Sequence, residues 1–253
     1  MAAPTLYMPS MSSAAIEEAV RSGSRTVIVV AGSVEQHGPH LPTETDSMYG
    51  REIALRVAAR LGNTLVAPII LPGISDHHLG FAGTFTIPPE LLFLQVEAYI
   101  TSLAGMGFER IVLTSSHGGN FIPLDGQLTR LRAHADRYGI SIVPVLDLFA
   151  FVAALRKAPA ERGLDQGLSA VQADLIETSI MLYLHPDDVR MDLAEVGHME
   201  DFDVNEMFAT GLRAITANGV LGDPRGATPE LGEAVVADLE EYLLAGIAKG
   251  ADA

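Results

Sequence analysis

The chain has 253 residues, 48% of them hydrophobic, enough to fill the core of one large domain or two small ones. Its 16 basic residues against 32 acidic ones give a net charge of −16, which argues against nucleic acid or an anionic membrane as partner, since both attract positive patches. Cysteine is absent, so a disulfide framework, a thiolate metal site and a cysteine nucleophile are all excluded.

The opening Met1-Ala2-Ala3-Pro4-Thr5-Leu6 has no basic stretch followed by an apolar one, so no secretory signal is expected and the cytoplasm is the expected compartment. Ser13 to Val20 reads as a short helix started by a serine cap. Thr26-Val27-Ile28-Val29-Val30 is an apolar run of buried-strand type. Met48 to Leu61 has helical periodicity, and Thr64 to Ile70 reads as a second strand ending in Leu71-Pro72-Gly73. Pro89 suits the first position of a helix over Glu90 to Ala104. Ile111 to Thr114 is a third strand, followed by a helix from about Leu124 to Tyr138 and a strand from Ile140 to Val145. The longest apolar stretch, Ile140 to Leu155, is interrupted by Pro144 and Asp147 and is too short for a membrane span. Within it, Phe149 to Leu155 suits either an interface or plain core. A helix from Ala170 to Leu184 is stopped by Pro186, and Gly232 to Ile247 is the last helix. Lys157 to Gly167 and Val189 to Phe208 read as polar loops over one domain, residues 1–253. Strands alternating with helices predict an α/β fold: a single-domain, three-layer α/β/α sandwich with a mainly parallel central sheet.

In such a sheet, sites are built at the carboxyl ends of the strands, and three loops meet there. The first, Gly32-Ser33-Val34-Glu35-Gln36-His37-Gly38-Pro39-His40-Leu41-Pro42-Thr43-Glu44-Thr45-Asp46, carries Glu35, His37 and Asp46, the oxygen and nitrogen donors that divalent metals take. The second, Ser75 to Thr84, holds His77 and His78 beside a small-residue turn. The third, Ser116-His117-Gly118-Gly119-Asn120, sets an imidazole next to two glycines that allow close approach to the backbone. On the helix of residues 170–184, Asp174, Glu177, Thr178 and Met181 recur at three- and four-residue spacing, and a carboxylate in so apolar a helix needs a partner.

Plainer roles are open for each residue taken singly. Asp46 suits the cap of the helix beginning near Met48. His117 could be a hydrogen-bonded histidine beside a glycine turn, and Glu177 a half-buried acid paired with an arginine. His40, His134, His185 and His198 read as surface or structural. No Gly-x-Ser-x-Gly elbow occurs, which disfavours a serine hydrolase.

The order and spacing of these motifs, with Glu177-Thr178-Ser179 and the tail Asn218-Gly219-Val220-Leu221-Gly222-Asp223-Pro224, resemble the creatininase family. The resemblance implies an amidohydrolase that cuts cyclic amides, formamides or small peptide-like bonds. It also implies a homo-oligomer, frequently a hexamer, with one or two divalent metals (Zn, Mn or Fe) per subunit. By position, Glu35, His37, Asp46 and His117 match metal ligands, Asp46 in the bridging place, with Glu177 to complete the second site. Ser75 and His78 would orient a small-molecule substrate beside Gly118, Gly119, Asn120, Gln172 and Asp174. Family members usually carry a histidine five residues before the Glu177 position, and this chain has Gln172. Glutamine does not exchange a proton near neutral pH, so Asp174, Glu177 or His78 would have to do so, or the substrate differs. Tryptophan is absent too, removing any indole that could shape a creatinine pocket. Creatinine is therefore not the expected substrate. The alternatives are a hydration, dehydration or rearrangement on the same scaffold, or a silent metal-binding homologue.

Overall fold

The computed structural model describes residues 5–251 apart from 168, 169 and 171. Four parallel strands, β1 (Thr26–Ala31), β2 (Thr64–Val66), β3 (Arg110–Ser115) and β4 (Ser141–Val145), form a sheet in the order β2-β1-β3-β4. Residues 27–31 of β1 and 111–115 of β3 are buried throughout, as central strands covered on both faces must be. Their register sets Ala31 beside Ser115, so both strands end at one level.

Helices α1 (Ser13–Arg21), α2 (Thr45–Leu61), α3 (Pro89–Met106), α4 (Gly118–Gly126), α5 (Leu128–Asp136), α6 (Leu148–Glu161), α7 (Leu175–Leu184), α8 (Val204–Thr210) and α9 (Pro229–Ala251) surround the sheet. The long α9 packs along α7, α6, α2 and β4, whereas α3 packs on α5 and α5 on β4. Gly246 and Gly250 of α9 lie against Val145 and Val143, alternate residues that share one face of β4. The result is the expected three-layer α/β/α sandwich, with a sheet that is wholly parallel. Among the described residues, no helix is long and apolar enough to cross a membrane.

Local departures from the sequence expectations have identifiable causes. Strand β2 stops at Val66 because Pro68 has no N–H to give the ladder, and Ile70 returns as a lone bridge to Ala31. The helix expected over 124–138 is two helices that meet at Gln127, the first starting directly after His117. Residues 149–155 and the supposed loop from Lys157 to Glu161 belong to α6, which Asp147 caps by accepting from Ala150 N at 3.0 Å. Helix α8 occupies part of the stretch read as irregular. Helix α2 begins at Thr45, which puts Asp46 in its first turn and not at the cap. Helix α7 begins only at Leu175, so Asp174 caps it and Gln172 precedes it; Val171, in the expected helix, lies outside the described residues.

The α7–α9 contact is close enough that a Cβ at Gly232 would stand 1.9 Å from the Ser179 carbonyl oxygen. Gly105 of α3 faces open space. Gly232→Ala is expected to destabilise the fold by about 1–3 kcal/mol through overpacking. Gly105→Ala should stabilise it by roughly 0.5–1 kcal/mol through reduced chain entropy. Urea unfolding of both variants checks the pair.

Candidate metal centre

Beyond the ends of β1 and β3, polar side chains converge in a place nearly closed to water. Glu35, His37, Asp46 and His117 are all buried, and Glu177, at 9%, is the most exposed of the five. Ligand-type atoms of Glu35, His37 and Asp46 lie within 4.8 Å of one another.

Asp46 is the centre of this group. Its Oδ1 lies 3.2 Å from His37 Nε2, and its Oδ2 lies 3.0 Å from His117 Nδ1 and accepts from Ser33 Oγ at 2.8 Å. Each carboxylate oxygen thus faces a different imidazole, dividing the cluster into two halves that share Asp46. On the first side Glu35 Oε1 lies 3.4 Å from His117 Nδ1. On the second, Glu177 Oε2 lies 3.8 Å from His37 Nε2. Asp46 can occupy both halves only because α2 starts early enough to carry it in the first turn.

Both histidines are oriented from behind. His37 Nδ1 lies 3.1 Å from its neighbour's carbonyl, Glu35 O, and His117 Nε2 lies 2.9 Å from Ile74 O and 3.3 Å from Ser75 Oγ. The carbonyls require an N–H at those nitrogens, which leaves the opposite nitrogens to face the carboxylates. This is the outer support that metal-ligating imidazoles usually have. Gly119 makes it possible: a Cβ there would sit 2.3 Å from Ile74 O and 2.6 Å from His117 Nε2. The room that a side chain would fill at Gly119 is taken by the Ile74 carbonyl and the His117 ring.

The charges compensate one another. Burial works to raise the Glu35 carboxyl, but His117 and His78 outweigh it and bring it down to about 2. Asp46 is likewise held low against its burial by His37 and His117. Burial opposes protonation of His37, but Asp46 and Glu177 push it up to about 10; Glu35 and Asp46 raise His117 in the same way. Burial lifts Glu177 to about 8 against the pull of His37. Protons on two imidazoles balance the carboxylates here, and a divalent cation would take their place. The cluster fits such an ion on its own chemistry, with oxygen and nitrogen donors, carbonyl-backed imidazoles, and a buried Glu35 Oε2 that has no hydrogen-bond partner.

The other expected residues divide into those around the cluster and those committed to the scaffold. His78 presents Nε2 to Glu35 Oε1 at 3.5 Å, and Gln36 Nε2 donates to its Nδ1 at 3.2 Å. Burial lowers His78 to about 4, so it is neutral. Ser75 Oγ meets His117. Gln172 donates from Nε2 to Gln36 O at 2.9 Å, fastening the first loop to the segment before α7. Asp174 Oδ1 accepts from the N–H groups of Ile176 and Glu177, and Glu177 Oε2 accepts from Ala173 N at 2.6 Å. Asp174 thus caps α7 through Oδ1. Asn120 is fully buried, accepting from Ile74 N and donating to the Ala31 and Gly32 carbonyls, so its amide is engaged with backbone. Gly118 has nothing within 4 Å of its missing Cβ. His40, read as surface or structural, is buried, with Nε2 2.8 Å from Thr178 Oγ1.

Three contributors were not singled out from sequence. Ser33 holds Asp46, Gln36 holds His78 and also Gly219 O, and the carbonyl of Ile74 orients His117. Ser33 and Gln36 lie inside the recognised first loop and could have been weighed there. The Ile74 carbonyl leaves no side-chain signal.

A family model described as "Creatininase: Creatinine amidohydrolase" matches residues 9–247. A mycofactocin precursor peptide peptidase of Mycobacterium ulcerans (strain Agy99) is 32% identical over 234 residues, covering 88% of this chain and 85% of the relative. Among solved structures, a Zn–Zn type creatininase variant superposes with a TM-score of 0.78 at 26% identity, covering 98% of each chain. A manganese creatininase superposes with a TM-score of 0.76 at 25% identity, covering 97% and 98%.

Gly119→Ala is expected to weaken zinc binding by roughly 10–100-fold, the usual effect of disturbing an outer-shell partner, with Gly118→Ala close to wild type. Competition titration against a chromophoric chelator measures both.

Proposed function

Because this chain belongs to the creatininase family, we propose that it is a metal-dependent amidohydrolase that hydrolyses the C–N bond of a peptide-like amide. The observation that carries this reading is the pair of half-sites sharing Asp46, with both imidazoles fixed from behind. Glu35, His117 and Asp46 would hold one divalent ion, and His37, Asp46 and Glu177 a second. An ion of this kind, zinc, manganese or iron, lowers the pKa of a water molecule from about 15.7 toward 7 and polarises an amide carbonyl.

The residues around the cluster have the remaining tasks. The burial of the five side chains strengthens every electrostatic contact made there. The neutral His78, with Nε2 directed at the cluster, and Ser75 would orient the amide. Glu177, backed by Ala173 N, would exchange a proton with the leaving nitrogen where a single ion occupies the half-site of Glu35, His117 and Asp46. Gln172, fixed to the first loop through Gln36 O, can give or accept a hydrogen bond but cannot serve as the acid. A peptide-like substrate is favoured over creatinine by the identity to a peptidase, by Gln172 and by the lack of tryptophan. Gln172 also favours a second reading, a non-hydrolytic reaction on the same scaffold; recovery of hydrolysis products alone would count against it.

We further propose that the whole chain acts as one domain in the cytoplasm and assembles as a homo-oligomer, a hexamer by family resemblance. A groove of about 1030 Å³ beside β4 supports association. Phe149 is 84% exposed there and Ile122 68%. Three cations (Arg110, Arg132, Lys249) face three acids (Asp125, Asp136, Asp147), so this face is locally balanced in a chain of net charge −16. Pro144 in β4 disfavours simple strand addition at that edge.

Protein purified without chelator or polyhistidine tag should contain one or two equivalents of zinc, manganese or iron by elemental analysis. Asp46→Ala should lose that metal together with amide hydrolysis, by more than the roughly 10–100-fold of an outer-shell change. Intact metal content and activity in Asp46→Ala would sink the assignment. Separately, Phe149→Glu should yield a smaller species than wild type in light scattering; an unchanged mass would remove this face from the assembly.

A further inference from the structure

Tyr49 lies one turn after Asp46 on α2 and is among the largest fully buried side chains of the fold. Its surroundings, which include Val30, Ile53, Phe151 and Leu243, would suit a phenylalanine as well. The hydroxyl is the part that packing does not explain. It donates to the carbonyl of Ser116, the residue before His117. Gly50, the next residue of α2, packs on the same serine so closely that a Cβ would be 2.4 Å from Ser116 Oγ.

On its other side this strand end is also tied down. Ser116 N donates to Ala31 O of β1 at 3.1 Å, and Ser115 Oγ accepts from His117 N at 3.0 Å while lying 2.8 Å from Ala31 O. The two protein ligands that meet at Asp46 Oδ2 therefore sit on different elements, α2 and the end of β3, and one side-chain hydrogen bond joins those elements directly behind them. We propose that Tyr49 is a positioning residue of the metal centre, holding His117, two residues beyond β3, at a fixed separation from Asp46 on α2. This rests on the reading of Glu35, Asp46 and His117 as metal ligands.

The hydroxyl holds the backbone of Ser116 and also interacts with the Asp46 carboxylate, so its loss changes the spacing and support of the two ligands without removing either. A residue of merely structural value would lower stability and leave the centre as it was. The test uses full-length protein, zinc with a competing chelator, and the visible spectrum of the cobalt-substituted form. Tyr49→Phe should weaken zinc binding at least tenfold and alter the cobalt bands. Ile100→Val, a buried change on α3, which packs on α5, serves as a control for stability alone and should leave both readings at wild-type values. If Tyr49→Phe does not fold, Gly50→Ala displaces Ser116 with the hydroxyl retained and is expected to weaken zinc binding likewise.

Wild-type affinity and an unchanged cobalt spectrum in Tyr49→Phe would overturn the role of Tyr49 and leave the metal reading standing. An equal loss in Ile100→Val would overturn it too, by assigning the effect to stability. Failure of the wild-type protein itself to bind zinc or cobalt would overturn the metal reading on which the inference depends.

Discussion

Asp46 receives two imidazoles on two different oxygens, and the rest of the structure has to make that arrangement tolerable. Burying several ionisable groups together is costly unless each charge meets an opposite one at short range and each remaining polar atom finds a hydrogen bond. Glu35, Asp46, His37 and His117 meet the first condition among themselves. Ser33, Ile74 O, Glu35 O and Ala173 N meet most of the second. The exception, Glu35 Oε2, lies in the cluster itself, where a cation would satisfy it.

The parallel sheet supplies the frame for this. Because Ala31 and Ser115 are level in adjacent strands, the loops that follow β1 and β3 leave the sheet side by side. Helix α2 then returns across their ends and is held at two places. Ser47 Oγ accepts from Ser33 N and donates to Ser33 O, against a Gly32 that leaves no room for a Cβ. Tyr49 and Gly50, within the next turn of the helix, meet Ser116 in the same manner. Ligands from separate elements are thereby fixed by short contacts between backbones and small side chains, and long flexible side chains are not required.

Gln172 is informative for a similar reason. Its side chain is an amide whose nitrogen is bound to Gln36 O. It fastens the first loop to the segment before α7. Ala173, next to it, has a left-handed backbone at φ 49°, a conformation that an alanine adopts only under constraint, and its N–H is directed at Glu177. The orientation of Glu177 is thus set by a strained turn ahead of its helix.

The sequence by itself determined the element types and the parallel α/β layering, and it singled out Glu35, His37, Asp46, His117 and Glu177, which the fold buries together. Apolar periodicity and donor residues at strand ends are local properties that a linear chain displays. It misjudged where α2, α7 and the end of β2 begin or stop, because caps and proline breaks act within one or two residues. Only the tertiary structure decided that Asp174 caps α7, that the Asn120 amide binds backbone, that Gly119 accommodates a carbonyl, and that Tyr49 reaches the strand end behind His117. Those facts depend on backbone groups brought together from distant parts of the chain. Every residue carries the same N–H and C=O, so sequence carries no mark of which ones will meet.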